Sequence, residues 1–302
     1  MKLIDVLQES LSDLQDFLAP GNTLEIVPVV GATSQIISVK GAGKNKRVHL
    51  LSDTANFEVN NLEDYCFSAL IIGHELAHCL CEHNKHKDIG KTDRLLIEAF
   101  ADYLGARISL TIMTFGKSSS SSILRIGPRY VFGSDRSYIE WLGRVELRRC
   151  IGRALKRIHD GIYINGAGRQ DYIPPIDRVL TVIAGAMSFY ARYYNRVQEY
   201  DAFLLFNEFY VKPGFDEITS ERELPNLHRT SEIHQQIQGS SLRIGAEFKD
   251  EYKKYLETNF QYSIQQMERR AMFFKSSYEG WSLNSDKRLT KMVDESLFSL
   301  RG

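Results

Sequence analysis

The apolar positions near the start of the chain repeat at helical spacing. Leu3, Val6, Leu7, Leu11, Leu14 and Leu18 fall on one stripe, which predicts an amphipathic helix over residues 1–20. Its polar face carries Asp5, Glu9, Asp13 and Asp16, unlike the basic start and apolar run of a secretory signal. Pro20-Gly21-Asn22 predicts a turn, and residues 23–30, 35–39 and 47–51 are β-rich runs broken by Gly, Lys and Asn, which predicts a small sheet. From Asn61 the period changes. Leu62, Tyr65, Cys66, Ala69, Leu70, Gly73, Ala77 and Leu80 recur three and four apart, predicting a helix that ends near Lys85. Asp88-Ile89-Gly90 turns the chain, Thr92 or Asp93 caps a second helix, and Leu95, Leu96, Phe100 and Leu104 carry it to about Thr111.

The pattern then lapses. A serine run from Ser118 to Ser122, followed by Gly127-Pro128 and Gly133, predicts a flexible loop or lid. Helical periodicity returns over residues 138–159, 175–195, 197–210, 220–238, 246–260 and 264–278. The expected organisation is a sheet with two helices (1–112), a flexible loop (113–137), further helices (138–212) and a helical C-terminal extension (213–302) beginning at Pro213-Gly214. The expected class is α+β and helix-dominated.

Composition narrows the choice of partners and compartment. A hydrophobic share of 43% with 25% charged residues over 302 positions suits a folded chain with a sizeable core. Lys plus Arg (38) balance Asp plus Glu (38), so no bulk field draws the chain to nucleic acid or to an anionic membrane. The most apolar later stretch, 179–190, is too short to span a bilayer. Cys66, Cys79, Cys81 and Cys150 are too irregularly spaced for a disulfide framework, which predicts reduced thiols in the cytoplasm, with Cys79 and Cys81 packing as small hydrophobes. Arg144, Arg148, Arg149, Arg153, Lys156 and Arg157 form a basic stripe, expected to be a solvated face with internal ion pairs.

The chemistry is concentrated in Gly73-His74-Glu75-Leu76-Ala77-His78. On a helix, histidines four apart project from one face a turn apart, so two ring nitrogens can reach one Zn²⁺. Glu75 lies about 100° around the helix, where its carboxylate can act on a water as general base without binding the ion. Glu98 sits twenty residues beyond His78 on the next helix and completes a His₂Glu set, leaving a fourth position open. Asp102, one turn further, can accept the outer N–H of a ligating histidine, and Ala101 and Gly105 let the helices approach closely.

This spacing, His74-Glu75-x-x-His78 followed by Glu98-x-x-Ala101-Asp102, resembles the gluzincin metallopeptidases. The phrase Glu98-Ala99-Phe100-Ala101-Asp102-Tyr103-Leu104-Gly105 is similar to the HtpX-type and minigluzincin branch. The resemblance implies a zincin-like fold with a strand near residues 35–41 before the motif, zinc on His74, His78 and Glu98, Glu75 as base, Asp102 as orienting acid, and a protein or peptide substrate added as a strand to the sheet edge. Tyr172-Ile173-Pro174-Pro175-Ile176-Asp177-Arg178 is similar to the family's H-P-P-x-x-R segment, whose His and Arg hold the tetrahedral intermediate. Ile173 replaces that His, so the role passes to Tyr172, Arg178 or another histidine such as His159. In architecture a helical gluzincin with a long extension also resembles the Lit-type phage-exclusion peptidases. The expected function is intracellular zinc endopeptidase. Its rivals are a latent protease of a defence or toxin system opened by a regulatory protein partner, and a non-catalytic zinc-binding regulatory protein whose fourth metal position would be filled by a side chain.

Overall fold

The backbone N–H of Lys2 donates to the Asp5 carboxylate at 2.6 Å and opens helix α1 (Leu3–Phe17), which buries Leu3, Val6, Leu7, Leu14 and Phe17. The computed structural model describes residues 1–31, 36–86, 91–127, 136–166, 173–194, 199–215, 228–238, 247–256, 260 and 263–264. Three strands follow α1: β1 (Ile26–Gly31), β2 (Ile37–Lys40) and β3 (Lys46–Leu51). Their order is β1-β3-β2, with β1 parallel and β2 antiparallel to β3. Between β2 and β3 the chain reverses through Gly41 (φ 83°) and Gly43 (φ 60°), a backbone region that only glycine enters without strain. Val48 and Leu50, two apart on β3, are fully buried, so one face of the sheet closes on the helices.

After the short helix α2 (Ser52–Ala55), Asn61 accepts the N–H of Asp64 at 2.9 Å and caps α3 (Leu62–Leu80). This helix stops short of Lys85 because Glu82 takes a left-handed conformation (φ 53°) and starts a 3₁₀ turn over His83–Lys85. The next helix, α4 (Lys91–Phe115), runs past Thr111 and packs along both α3 and a later helix. The α3–α4 contact is backbone against backbone. A Cβ on Gly105 would stand 2.6 Å from the nitrogen of His74 and 2.8 Å from the carbonyl carbon of Gly73. Gly105→Ala is therefore expected to push the helices apart and cost about 1–3 kcal/mol in urea unfolding; an unchanged midpoint would show that the pair has room to spare.

The expected loop at 113–137 is corrected over its described part. Residues 117–126 form a helix, α5 (Lys117–Ile126), and residues 128–135 lie outside the described set. The cause is remote in sequence: the Asp13 carboxylate on α1 accepts the N–H groups of Ser118 and Ser119, each at 2.9 Å. Serine is only a middling helix former, and an acid that satisfies two orphan donors at the N-terminus tips the balance.

Then come α6 (Arg136–Ile158), a π-helical turn (His159–Tyr163), α7 (Ile164–Gly166), α8 (Pro175–Tyr193), α9 (Glu199–Phe206) with a second π turn (Asn207–Val211), α10 (His228–Gln238) and α11 (Asp250–Leu256). Described cations of the basic stripe on α6 are paired with acids. Arg153 meets Glu63 at 2.7 Å and Glu146 at 3.1 Å, and Arg157 meets Asp64 at 2.8 Å while covering the ring of Phe67, so these cations seal α6 to the start of α3. Phe215, Phe248, Tyr255, Leu256, Phe260 and Ile264 join the same core as Leu3 and Val48. The described part of the C-terminal third is thus packed into the body that carries α3 and α4; residues 265–302, with the last expected helix, lie outside the described set. The fold is helix-dominated with a small three-stranded sheet. Among the described residues no helix is long and apolar enough to cross a membrane.

Candidate metal centre

Two features bring the ligand candidates together: the four-residue spacing on α3 and the glycine contact that lays α4 against it. His74 Nε2 lies 3.1 Å from His78 Nε2 and 3.3 Å from Glu98 Oε2, and His78 Nε2 lies 3.6 Å from Glu98 Oε1. Donors at 2.0–2.1 Å from a tetrahedral zinc stand about 3.3 Å apart. The three side chains thus already fit the spacing that such an ion demands. Among the described residues no fourth His, Cys, Asp or Glu joins the group.

A second layer holds these side chains from behind. Asp102 Oδ1 lies 2.8 Å from His74 Nδ1, a close contact that is too bent to form a well-directed hydrogen bond. Arg178, on α8, forks onto the same carboxylate, its Nε donating to Oδ2 at 2.7 Å and one Nη donating to Oδ1 at 2.9 Å. That Nη also lies 3.8 Å from Glu98 Oε2. Tyr163 donates its hydroxyl to Asp102 Oδ1 at 3.2 Å and lays its ring 4.0 Å from the guanidinium carbon. On the other side, His78 Nδ1 lies 2.7 Å from Nδ1 of the buried His83.

The electrostatics favour positive charge at the centre of the group. Burial opposes a charge on His74, yet the Asp102 and Glu98 carboxylates outweigh it and hold the imidazole up to about 10. Burial likewise opposes the charge on Glu98, but His78 and His74 bring its carboxyl well below the usual range. Asp102 is also lowered: burial works against it, and Arg178 and His74 prevail. Two acids therefore draw a cation to the spot the three donors share. Glu75 behaves differently. Burial dominates and raises its carboxyl above the usual value, although both histidines pull the other way.

The group opens into a cleft of about 390 Å³. Its lining includes Ile36 to Val39, at and beside strand β2, together with Ile162, Tyr163, Ile173, Arg178 and Val182. Strand β2 stands at one edge of the described sheet. Glu75 lines the same cleft beside His74, His78 and Glu98. Sequence reasoning also singled out Tyr172, which lies outside the described residues, and His159. His159 is buried away from the cleft lining, with Nδ1 2.8 Å from Asp160 Oδ1 and its ring edge-on to Phe215. Cys79 and Cys81 are buried, unpaired and remote in role from the ligand set; burial pushes the Cys79 thiol up to about 12.

Two supporting contacts were not anticipated from the sequence: His83 behind His78 and Tyr163 behind Asp102. His83 lies beyond the end of α3, after a backbone reversal at Glu82 that no periodicity announces. Tyr163 comes from a π turn, whose extra residue per turn rotates side chains out of the helical register. The signal for Tyr163 was present only as a tyrosine following the basic stripe. Comparison of the chain with protein families, with curated proteins and with solved structures finds no match.

Proposed function

We propose that the chain is a zinc-dependent peptidase of gluzincin type, with His74, His78 and Glu98 as ligands and Glu75 as general base. The observation that carries this reading is the convergence of three ligand atoms, all within 4.8 Å of one another, in the lining of a cleft that Glu75 also lines. Three donors suit a catalytic site, where a fourth position stays free, better than a structural one closed by protein. Bound there, zinc would supply a Lewis acid that acidifies a water and polarises a carbonyl.

The chain's own residues do the rest. Glu75, with a carboxyl raised by burial, can take a proton from the attacking water and return it to the departing amine. Asp102 holds the outer face of His74, and Arg178 and Tyr163 hold Asp102 in turn, so the ring presents Nε2 to Glu98. Arg178 is spent largely on this support, and Tyr172 stays a candidate for the charge that develops on the scissile carbonyl oxygen. An extended protein or peptide substrate can add to the edge strand β2, whose residues line the cleft. The zincin-like arrangement of sheet and motif helix belongs to this reading, as does a cytoplasmic setting, which four free buried thiols suit.

The test is metal analysis with activity. The purified chain is expected to hold about one zinc and to cleave unfolded protein substrates, with both lost after chelation and regained with zinc. His78→Ala and Glu98→Ala are each expected to lower zinc occupancy sharply. Undiminished metal content in both variants would mean that the ligands lie elsewhere.

A further inference from the structure

The geometry points to His83 as a positioning residue of the metal site: its Nδ1 accepts the outer N–H of His78 and sets which nitrogen of His78 faces Glu98. This inference rests on the reading of His74, His78 and Glu98 as zinc ligands. The two nitrogens of His78 face opposite ways. Nε2 lies 3.1 Å from His74 Nε2 and 3.6 Å from Glu98 Oε1, whereas Nδ1 lies 2.7 Å from His83 Nδ1.

A neutral imidazole carries one N–H, and a nitrogen that gives its lone pair to a metal carries none. With Nε2 turned into the ligand group, the proton of His78 belongs on Nδ1. The nitrogen 2.7 Å away must then accept it, so His83 carries its own proton on Nε2. Each ligand histidine thus has its outer nitrogen met by a different device: Asp102 stands 2.8 Å from His74 Nδ1, and a second imidazole stands 2.7 Å from His78 Nδ1. Each ring thus has a polar group behind the nitrogen that faces away from the ligand set.

The backbone is arranged to deliver His83 to this place. A residue with a β-carbon is strained at positive φ, and Glu82 sits there at φ 53°. Its carboxylate is gripped by Lys85 and lies 3.5 Å from Lys46 of β3, which pins the reversal. The reversal carries the chain back from the end of α3, so that His83, five residues beyond His78, meets it again. The ring of His83 is buried and stands edge-on to Phe100 of α4, at 6.3 Å between centres. It is therefore held by packing as well as by the turn, as an orienting group must be.

The decisive measurement uses the wild-type chain loaded with zinc. Long-range proton–nitrogen NMR correlations of the imidazoles report each tautomer directly. His78 is expected with its proton on Nδ1, and His83 with its proton on Nε2 and a bare Nδ1. A zinc-loaded chain in which His83 carries a proton on Nδ1 overturns the proposal while leaving the ligand set standing. A chain whose His74 and His78 signals do not respond to zinc overturns the ligand set and this inference together. Two variants read the same point as affinity, by competition with a chelator. His83→Asn keeps an acceptor and is expected to bind zinc about as wild type does, whereas His83→Phe fills the space without one and is expected to bind about 10–100-fold more weakly. Equal affinity in the two variants would refute the role.

Discussion

Replacing Glu75 by glutamine is expected to lower the rate of peptide cleavage by about 10²–10⁴-fold while zinc content stays at that of wild type. The expectation follows from position. Glu75 lines the cleft beside the ligand group, yet it is not a member of that group. Burial is the largest influence on its carboxyl and raises it, which suits a group that must accept a proton and then surrender it. Glutamine is nearly isosteric and cannot take the proton, so only the chemical step should suffer. Turnover numbers together with metal analysis of the same preparation check both halves. Full activity in the variant would remove the assigned base; loss of zinc would show that Glu75 supports the ligands instead.

Asp102→Ala is expected to destabilise the metal-free chain by about 3–5 kcal/mol, because it breaks a buried, two-pronged ion pair with Arg178. Arg178 directs two donors at Asp102, at 2.7 and 2.9 Å, and Tyr163 adds a third at 3.2 Å. Removing the carboxylate takes the acceptor of these three donors out of a buried place. Urea unfolding of apoprotein measures the loss, and a change below about 1 kcal/mol would mean that Arg178 finds other support. The double replacement Asp102→Leu with Arg178→Met separates stability from function. Removing both charges at once should restore much of the stability, since a buried pair often contributes little over apolar packing. It should not restore zinc affinity, because His74 would still lack the acid behind its Nδ1. Recovery of both properties would make the pair a structural feature alone.

The route from sequence to site was short where chemistry and period coincide. The His74–His78 spacing, the interposed Glu75 and the helical recurrence of Leu62 through Leu80 name a helix and its polar face at once. Glu98, Asp102 and Gly105 then identify the second helix, since they too follow a helical period and a small residue marks the close approach. The strands near 26–31, 37–40 and 46–51 were legible from β-branched runs and glycine breaks. In the serine stretch the same reasoning failed. Composition spoke for a loop, but α5 forms because Asp13, far back in the chain, accepts its first N–H groups. Local propensity is a weak term, and a partner brought from another element can outweigh it.

Sequence by itself determined the local items: that the segments carrying His74, His78 and Glu98 are helical, which face of α3 is buried, and that two histidines and a glutamate stand ready on neighbouring helices. Those follow from periodicities of a few residues, which one stretch of chain can satisfy alone. Only the tertiary structure decided the support. Arg178 reaches Asp102 across 76 residues, Tyr163 across 61, and Glu82 turns His83 back onto His78 through an uncommon backbone angle. Such contacts depend on how helices pack and where the chain reverses, and no short-range pattern encodes the distance between side chains that meet only after folding.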